Sequence, residues 1–288
     1  MSAAVATSGE QSFQYAEING YSHRLRIQGS GPLVVFGHGL LGSIEQIEEA
    51  APQLAELLEH VRLLTYDARG HGKSDGPEDS AGYTWETLGR DMSAMITFAG
   101  EEQAIIGGAS MGAATALWVA LEQPKRVRAL TLMMPPPLGA EPMRAEAEKQ
   151  ALTVLDLLAA AVQNFGIEKT VEIAQSFPGF APTPEEAHER AQWLLQQNPL
   201  TLLYAIRGLI TAPFHDPERY RDIKVPTLVL AHEGDGLHPV RAARLLGDTI
   251  PDCEVVIASH PGHWQAHPEE LRELFSKFLE RINSALPE

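Results

Sequence analysis

Short apolar runs alternate along the chain with longer stretches whose apolar residues lie three and four positions apart. The short runs predict buried strands at residues 33–36, 61–66, 104–107, 127–133, 227–231 and 254–258. The longer stretches predict amphipathic helices at residues 47–59, 84–99, 110–122, 239–249 and 269–282. Strands and helices that alternate in this way form mainly parallel sheets. The sequence therefore predicts an α/β fold, with a mainly parallel central sheet flanked by helices.

Two segments depart from this alternation. Residues 13–18 and 23–27 alternate apolar and polar positions, so we expect an antiparallel hairpin at the edge of the sheet. Residues 135–222 open on three prolines and contain no convincing strand. Their patterns predict helices at residues 144–165, 167–176, 184–196 and 200–210. We therefore expect an α/β core formed by residues 1–134 and 223–288, interrupted by a helical insertion at 135–222. We expect its Pro- and Gly-rich segment, 177–184, to be more mobile than the sheet.

Composition narrows the class of protein. Hydrophobic residues make up 44% of the chain and charged residues 21%, as in an ordinary globular protein. No uninterrupted apolar run approaches the ~18 residues of a membrane-spanning helix. The 22 basic and 38 acidic residues give a net charge of −16, so neither nucleic acid nor membrane is expected as a partner. The single cysteine, Cys253, excludes an internal disulfide and fits a reducing, cytoplasmic location. Residues 1–10 lack the segments of a signal peptide.

The strongest chemical signal is the sequence GASMG at residues 108–112, where a serine has a glycine two positions away on each side. It follows a predicted strand and opens a predicted helix. We expect a sharp turn there that presents the Ser110 hydroxyl at the carboxyl end of the sheet, near a helix N-terminus. This context favours a nucleophile; the alternative is a serine that caps a helix beside turn glycines.

A serine hydroxyl becomes a good nucleophile when a base takes its proton and an acid orients that base. Asp235 and His263 each follow a predicted strand, so both are expected at the same sheet edge as Ser110. The chain order Ser, Asp, His is the order associated with this kind of turn. We predict Ser110 as nucleophile, His263 as base and Asp235 as orienting acid.

Both the base and the acid have rivals nearby. His263 follows a glycine, which suits a tight turn that aims a ring into the site, and this favours it over His260. Glu233 is the main rival of Asp235. The other histidines beside these two positions are His267, His232 and His238.

Acyl transfer also needs hydrogen-bond donors for the oxygen that becomes negative. The glycines of residues 36–43 would let the backbone approach a substrate closely. We predict the backbone N–H groups of Leu40 and Met111 as the two donors of this oxyanion hole. We interpret His38 as a structural histidine buried beneath the same loop.

Five segments together resemble the α/β-hydrolase superfamily. They are HGLLGS at 38–43, YDARGHGKSD at 66–75, GASMG at 108–112, the loop of Asp235, and the pair Gly262-His263. The resemblance is closest to the group that holds esterases, enol-lactone hydrolases, ring-cleavage C–C hydrolases and cofactor-free perhydrolases. It implies that residues 67–74 form a structural turn beside the site and that the insertion is a helical cap over the pocket. Relatives often have a second glycine after the elbow where this chain has Ala113.

These signals predict a serine hydrolase that cleaves a small carboxylic ester or lactone through an acyl-enzyme. Members of the superfamily that act on alkyl halides and epoxides carry a carboxylate at the elbow, whereas a serine implies a carbonyl substrate. Two alternatives stay open. One is hydrolysis of a C–C bond in a ring-cleavage product, or a perhydrolase reaction, and the other is a non-catalytic ligand-binding protein on the same fold.

The pocket is expected to be mostly apolar and to need neither metal nor cofactor. The histidines lack metal-ligand spacing, and no glycine-rich dinucleotide fingerprint opens the first helix. Core packing within the insertion is an equal alternative for one of the predicted wall residues, Trp193. The predicted substrate-binding residues are Leu41, Leu138, Trp193, Leu237 and Trp264.

Overall fold

The computed structural model describes residues 13–50, 57–138, 145–176, 183–212 and 214–284. Within these ranges lies an eight-stranded sheet with the strand order β1-β2-β4-β3-β5-β6-β7-β8. The strands are β1 Gln14–Ile18, β2 Tyr21–Gly29, β3 Leu33–Gly37, β4 Arg62–Tyr66, β5 Ala104–Ala109, β6 Val127–Met133, β7 Thr227–His232 and β8 Cys253–Ala258. Residues 1–12, and residues 177–182 of the predicted mobile segment, lie outside the described residues.

The strand directions confirm the predicted fold class. β1 and β2 form an antiparallel hairpin, and β2 is also antiparallel to β4. The remaining neighbours are parallel. β5 runs two residues farther than predicted, because Gly108 and Ala109 continue to pair with Leu132 and Met133 of β6. Small residues give no apolar pattern, so the sequence did not indicate this extension.

Helices connect the strands much as predicted. The predicted helix at 200–210 divides into a π-helical turn, Thr201–Ala205, and a following α-helix. Of the predicted helix at 47–59, the structure describes Ile44–Ala50, and residues 51–56 lie outside the described ranges. The α-helices are α1 Ile44–Ala50, α2 Trp85–Phe98, α3 Met111–Glu122, α4 Glu146–Phe165, α5 Ile167–Gln175, α6 Pro184–Leu195, α7 Ile206–Thr211, α8 Val240–Thr249, α9 His263–Ala266 and α10 Pro268–Ser284.

The core lies on both faces of the sheet. One face carries a large cluster to which α2, α3 and α8 contribute. The other face carries a second cluster, to which α1 and α10 contribute. α3 is apolar nearly all round, and its alanines Ala113, Ala116 and Ala120 are buried, so this helix lies close against the sheet. That close packing fixes the start of α3, where the candidate nucleophile lies.

The helices between β6 and β7 build a layer of their own. α4, the π-helical turn and α7 share a small apolar cluster formed by Ala159, Val162, Leu202 and Ile206. Leu41, in the loop after β3, belongs to the same cluster and joins this layer to the core. The described residues of this layer contain helices and no strand. None of the described helices has the length and apolar character needed to cross a bilayer.

Candidate active site

Ser110 lies at the turn between β5 and α3 in a strained backbone conformation, with φ 50° and ψ −107°. A positive φ is uncommon for a residue with a side chain and is held only where the surroundings enforce it. Here the Ser110 N–H donates to the carbonyl of Met133, and the Ser110 carbonyl accepts from the N–H of Ala114. The turn holds the hydroxyl half-buried at the carboxyl edge of the sheet.

The small residues around Ser110 allow the start of α3 to touch the end of β3. A Cβ atom on Gly112 would lie 2.2 Å from the carbonyl oxygen of Gly37, and one on Gly108 would lie 2.3 Å from the same atom. The N–H of Gly112 also donates to the carbonyl of His38 at 3.0 Å. Only glycine fits at residues 108 and 112, which explains the spacing of the two glycines in the motif.

The Ser110 hydroxyl contacts a histidine that is itself bound to a carboxylate. Nε2 of His238 lies 2.8 Å from Oγ of Ser110, and Nδ1 of His238 lies 2.7 Å from Oδ2 of Asp235. The side chains of His238 and Asp235 are 16% and 22% exposed, so both are largely shielded from solvent. These contacts join a hydroxyl, an imidazole and a carboxylate in the order required for a serine nucleophile.

Asp235 fixes this arrangement through its own loop. Its Oδ1 accepts the backbone N–H groups of Leu237 at 2.8 Å and His238 at 3.1 Å, while Oδ2 accepts from the His238 ring. Burial alone would raise the pKa of the Asp235 carboxyl, but the hydrogen bond and charge of His238, together with the two N–H groups, hold that pKa well below its usual range. Asp235 is therefore a carboxylate at neutral pH.

The structure does not bring the predicted base, His263, to Ser110 or Asp235. His263 begins α9, directly after Gly262 at φ 82°, and its Nε2 lies 3.0 Å from Oε2 of Glu270 on α10. Its ring packs edge-on against Trp264. His238 lies between Ser110 and Asp235, where the sequence predicts His263. The rival acid, Glu233, is exposed and faces Arg244.

His238, which contacts Ser110 and Asp235 in the structure, stood among the histidines beside Asp235 but was not predicted as the base. The available signal was the spacing Asp-x-x-His. An aspartate whose carboxylate accepts N–H groups two and three residues later forms a tight turn. Such a turn brings the ring of the fourth residue back to the same carboxylate.

Leu40 and Met111, the predicted oxyanion donors, line the same cavity as Ser110. In the part of the chain that the structure describes, neither backbone N–H has an acceptor. Two unsatisfied donors beside a serine hydroxyl are what stabilisation of a carbonyl oxyanion requires. Both N–H groups are therefore available for the predicted role as oxyanion donors.

The cavity at Ser110 has a volume of about 530 Å³, including the part open to solvent. Its walls are almost entirely apolar, and none of the described lining residues carries a charge. Seven of them come from the segment between β6 and β7, which thus covers the serine: Pro136, Pro137, Leu152, Leu155, Leu209, Ile210 and Phe214. The rest of the lining comes from Leu40, Trp85, Ser110, Met111 and Leu237.

Of the predicted substrate-binding residues, Leu237 lines this cavity and the other four lie elsewhere. Leu41 and Trp193 pack among the helices of the insertion. Leu138 is buried in the main core cluster. Trp264 is buried between the sheet and α10. Each of these four is a large apolar side chain that fills space between elements, so its local sequence could not distinguish packing from a pocket wall.

Two other polar side chains near the site, His38 and Arg69, hold neighbouring loops in place through hydrogen bonds. His38 is buried; its Nδ1 donates to the carbonyl of Gly39, and its Nε2 accepts the N–H of Ala68. Burial lowers the pKa of His38 to about 4, so the ring is neutral, in line with the structural role predicted for it. Arg69 donates two hydrogen bonds to the buried Asp91 and thereby anchors the turn at 67–74 to α2.

One group of described residues has the ligand types of a metal site: the exposed His267, Glu269 and Glu270 at the start of α10. These side chains do not line the cavity that holds Ser110. The contacts at the serine are those of acid–base and nucleophilic chemistry among protein side chains.

Comparison with known proteins shows the family to which the chain belongs. Residues 32–269 match the model of a family described as alpha/beta hydrolase fold. The chain is 28% identical to 3-oxoadipate enol-lactonase 1 of Acinetobacter baylyi, over 88% of this chain and 90% of that protein. It is 27% identical to 2-hydroxy-6-oxo-6-(2'-aminophenyl)hexa-2,4-dienoic acid hydrolase of Metapseudomonas resinovorans, over 93% of this chain and 91% of that protein.

A solved structure shares the fold. The enol-lactonase of Burkholderia xenovorans superposes with a TM-score of 0.73 at 23% identity and covers 93% of this chain and all of its own. At that identity the likeness establishes the architecture only.

Proposed function

The chain belongs to the α/β hydrolase family, and we propose that within it the protein is a serine hydrolase that cleaves a small carboxylic ester or lactone through an acyl-enzyme. Ser110 is the nucleophile, Asp235 orients the base, and the N–H groups of Leu40 and Met111 bind the oxyanion. Two histidines compete for the role of base, His263 by sequence pattern and His238 by contact.

The observation that carries this proposal is the strained Ser110 at the floor of a covered cavity, with its hydroxyl 2.8 Å from an imidazole nitrogen. A helix-capping serine would bond to the backbone of its own helix, but Ser110 makes no side-chain cap. A binding protein on the same fold would have no need of strain at this residue or of a carboxylate behind the histidine.

The cavity walls favour a neutral, apolar substrate. The names of the two relatives above denote acids, and a carboxylate held in a closed pocket needs a cation or several donors. The described lining residues supply no cation. The described lining therefore favours an uncharged hydrocarbon chain or ring as the acyl part of the substrate, and C–C hydrolysis of a dienoic acid is the less favoured reaction.

The segment between β6 and β7 acts as the cap of this pocket. It supplies more than half of the lining residues and shields the serine from part of the solvent. Substrate preference then depends on the cap side chains Leu152, Leu155 and Phe214 rather than on the core.

The test is turnover of p-nitrophenyl acetate, butyrate and hexanoate, with Ser110→Ala as the control. We expect hydrolysis by the wild type and near-background rates in the variant. Mono-p-nitrophenyl succinate, which carries a carboxylate, is expected to have a kcat/KM at least tenfold lower than the butyrate ester. Equal turnover by the Ser110→Ala variant would refute the assignment of Ser110 as the nucleophile. Preference for the succinate ester would refute the proposal that the substrate is neutral.

A further inference from the structure

We propose that an ion pair between Glu148 of α4 and Arg241 of α8 holds the cap over the substrate cavity and thereby limits the size of the acyl group that reaches Ser110. This inference rests on the proposed function, because an acyl limit has meaning only if the cavity binds an ester. Neither Glu148 nor Arg241 is among the described residues that line the cavity. Both are therefore positioning residues, which act through the walls that they hold.

Glu148 is a buried carboxylate with a bidentate partner. Its side chain is 2% exposed. Arg241 donates Nε–H to Oε1 at 3.1 Å and Nη2–H to Oε2 at 2.5 Å. The backbone N–H of Ala145, just before α4, donates a further hydrogen bond to Oε2 at 3.0 Å. A carboxylate removed from water in this way is stable only while its cation stays in place, so the pair resists separation.

The two halves of α4 are held in different ways. In the second half, Ala159 and Val162 are buried in the apolar cluster of the cap. Among residues 146–158, all of which the structure describes, Glu148 alone is buried. Leu152 and Leu155, from the same half of the helix, line the cavity. Apolar packing thus anchors the end of α4, whereas an ion pair anchors its start.

Arg241 provides the fixed side of this contact. It lies in the first turn of α8, and the buried Ala243 and Leu246 pack that helix against the sheet. Leu237, four residues before Arg241, lines the same cavity as the side chains of α4. The ion pair with Glu148 therefore ties together two walls of one cavity, one from the cap and one from the core.

Loss of the arginine would separate these two walls. The Glu148 carboxylate would be left buried without its cation, which is strongly unfavourable. The carboxylate regains water when the start of α4 moves away from α8, while Ala159 and Val162 keep the end of the helix in place. Such a movement enlarges the cavity beside Leu152 and Leu155. Longer acyl chains then fit, whereas short chains lose contacts with the wall.

The experiment compares Arg241→Gln with Arg244→Gln, a matched control on the same helix. Arg244 forms an exposed ion pair with Glu233, and the loss of such a pair has little effect. The measured quantity is the ratio of kcat/KM for p-nitrophenyl octanoate to that for p-nitrophenyl butyrate. Because a single methylene in an apolar pocket changes kcat/KM by roughly tenfold or more, we expect Arg241→Gln to raise this ratio by about tenfold, mainly through a lower KM for the octanoate. Arg244→Gln should leave the ratio unchanged.

Two milder variants test the same ion pair if Arg241→Gln does not fold. Arg241→Lys keeps the charge but lacks the bidentate fork, so its ratio should lie between those of the wild type and Arg241→Gln. Glu148→Gln removes the buried charge and leaves no unpaired carboxylate, so it should raise the ratio by a smaller factor.

Hydrogen exchange gives a second readout that does not depend on turnover. Peptides from residues 146–157 should exchange about tenfold faster in Arg241→Gln than in the wild type, and peptides from α7 should not change. An unchanged ester ratio would overturn the proposal, and a lower melting temperature alone would show a purely structural pair. Faster exchange in α4 of a protein that hydrolyses no ester would instead refute the proposed function, and would still support the hold of the ion pair on the cap.

Discussion

Replacement of Gly112 by alanine tests whether close packing at the elbow is what positions Ser110. The added Cβ would lie 2.2 Å from the carbonyl oxygen and 2.6 Å from the carbonyl carbon of Gly37. Both atoms belong to the backbone of a central strand, so no flexible side chain can give way. The start of α3 would have to move by roughly 1 Å from β3, and Ser110, two residues earlier, would move with it.

Gly112→Ala is expected to lower the free energy of unfolding in two ways. Overpacking of a tight core typically destabilises a protein by about 1–3 kcal/mol. The displacement also breaks the hydrogen bond from Gly112 to His38, whose net contribution is about 1 kcal/mol. We expect a loss of roughly 2–4 kcal/mol in the free energy of unfolding. A misplacement of about 1 Å at a catalytic group can lower the rate by about 10²-fold, and we expect a fall of that order in kcat.

The assays are urea unfolding and kcat for p-nitrophenyl butyrate, and the matched control is Gly236→Ala on the loop of Asp235. A Cβ at Gly236 meets no atom within 4 Å, so that variant should keep the stability and rate of the wild type. A Gly112→Ala protein with wild-type kcat would refute the argument that the contact between α3 and β3 sets the position of the nucleophile.

Three further predictions address the framework, the acid and the cap. Asp91→Ala leaves the buried guanidinium of Arg69 unpaired and should lower the free energy of unfolding by about 3–5 kcal/mol. Glu86→Ala breaks an exposed ion pair with Arg90 on the same helix and should lower the free energy of unfolding by less than about 0.5 kcal/mol. Because the folded-state pKa of Asp235 is depressed, its carboxylate stabilises the fold above its unfolded pKa of about 3.9, and this contribution is lost as pH falls through the lower folded value. Asp235→Asn should remove that part of the acid dependence of the melting temperature and should lower kcat by up to ~10⁴-fold. An unchanged kcat would show that Asp235 does not orient the base. Leu155→Trp should shift ester preference toward shorter acyl chains, with the exposed Leu157→Trp as control, and equal profiles would contradict the cap's role.

The sheet could be read from the sequence because buried parallel strands are continuous apolar runs bounded by turn residues. The elbow could be read because close backbone contact admits only glycine at residues 108 and 112. Both signals are local, and each is set by the residues that make the element. The position of Asp235 directly after a strand and the structural role of His38 were accessible for the same reason.

The remaining features depend on how distant segments pack. Whether His238 or His263 meets Ser110 is decided by the path of two loops that are far from the elbow in sequence. The cavity walls that come from the insertion were missed, because Leu152, Leu155 and Phe214 reach the site only once the insertion has folded over the sheet. Trp264 and Leu138 carry the same apolar signal but fill the core instead.

The most direct test of the account is to observe the covalent intermediate itself. Wild-type enzyme is mixed with p-nitrophenyl butyrate, quenched in acid within milliseconds and measured by intact-protein and peptide mass spectrometry. The account predicts a mass increase of one butyryl group, located on Ser110, and no adduct in Ser110→Ala. Rapid release of p-nitrophenol with the acyl group on another residue would contradict the claim that Ser110 is the nucleophile.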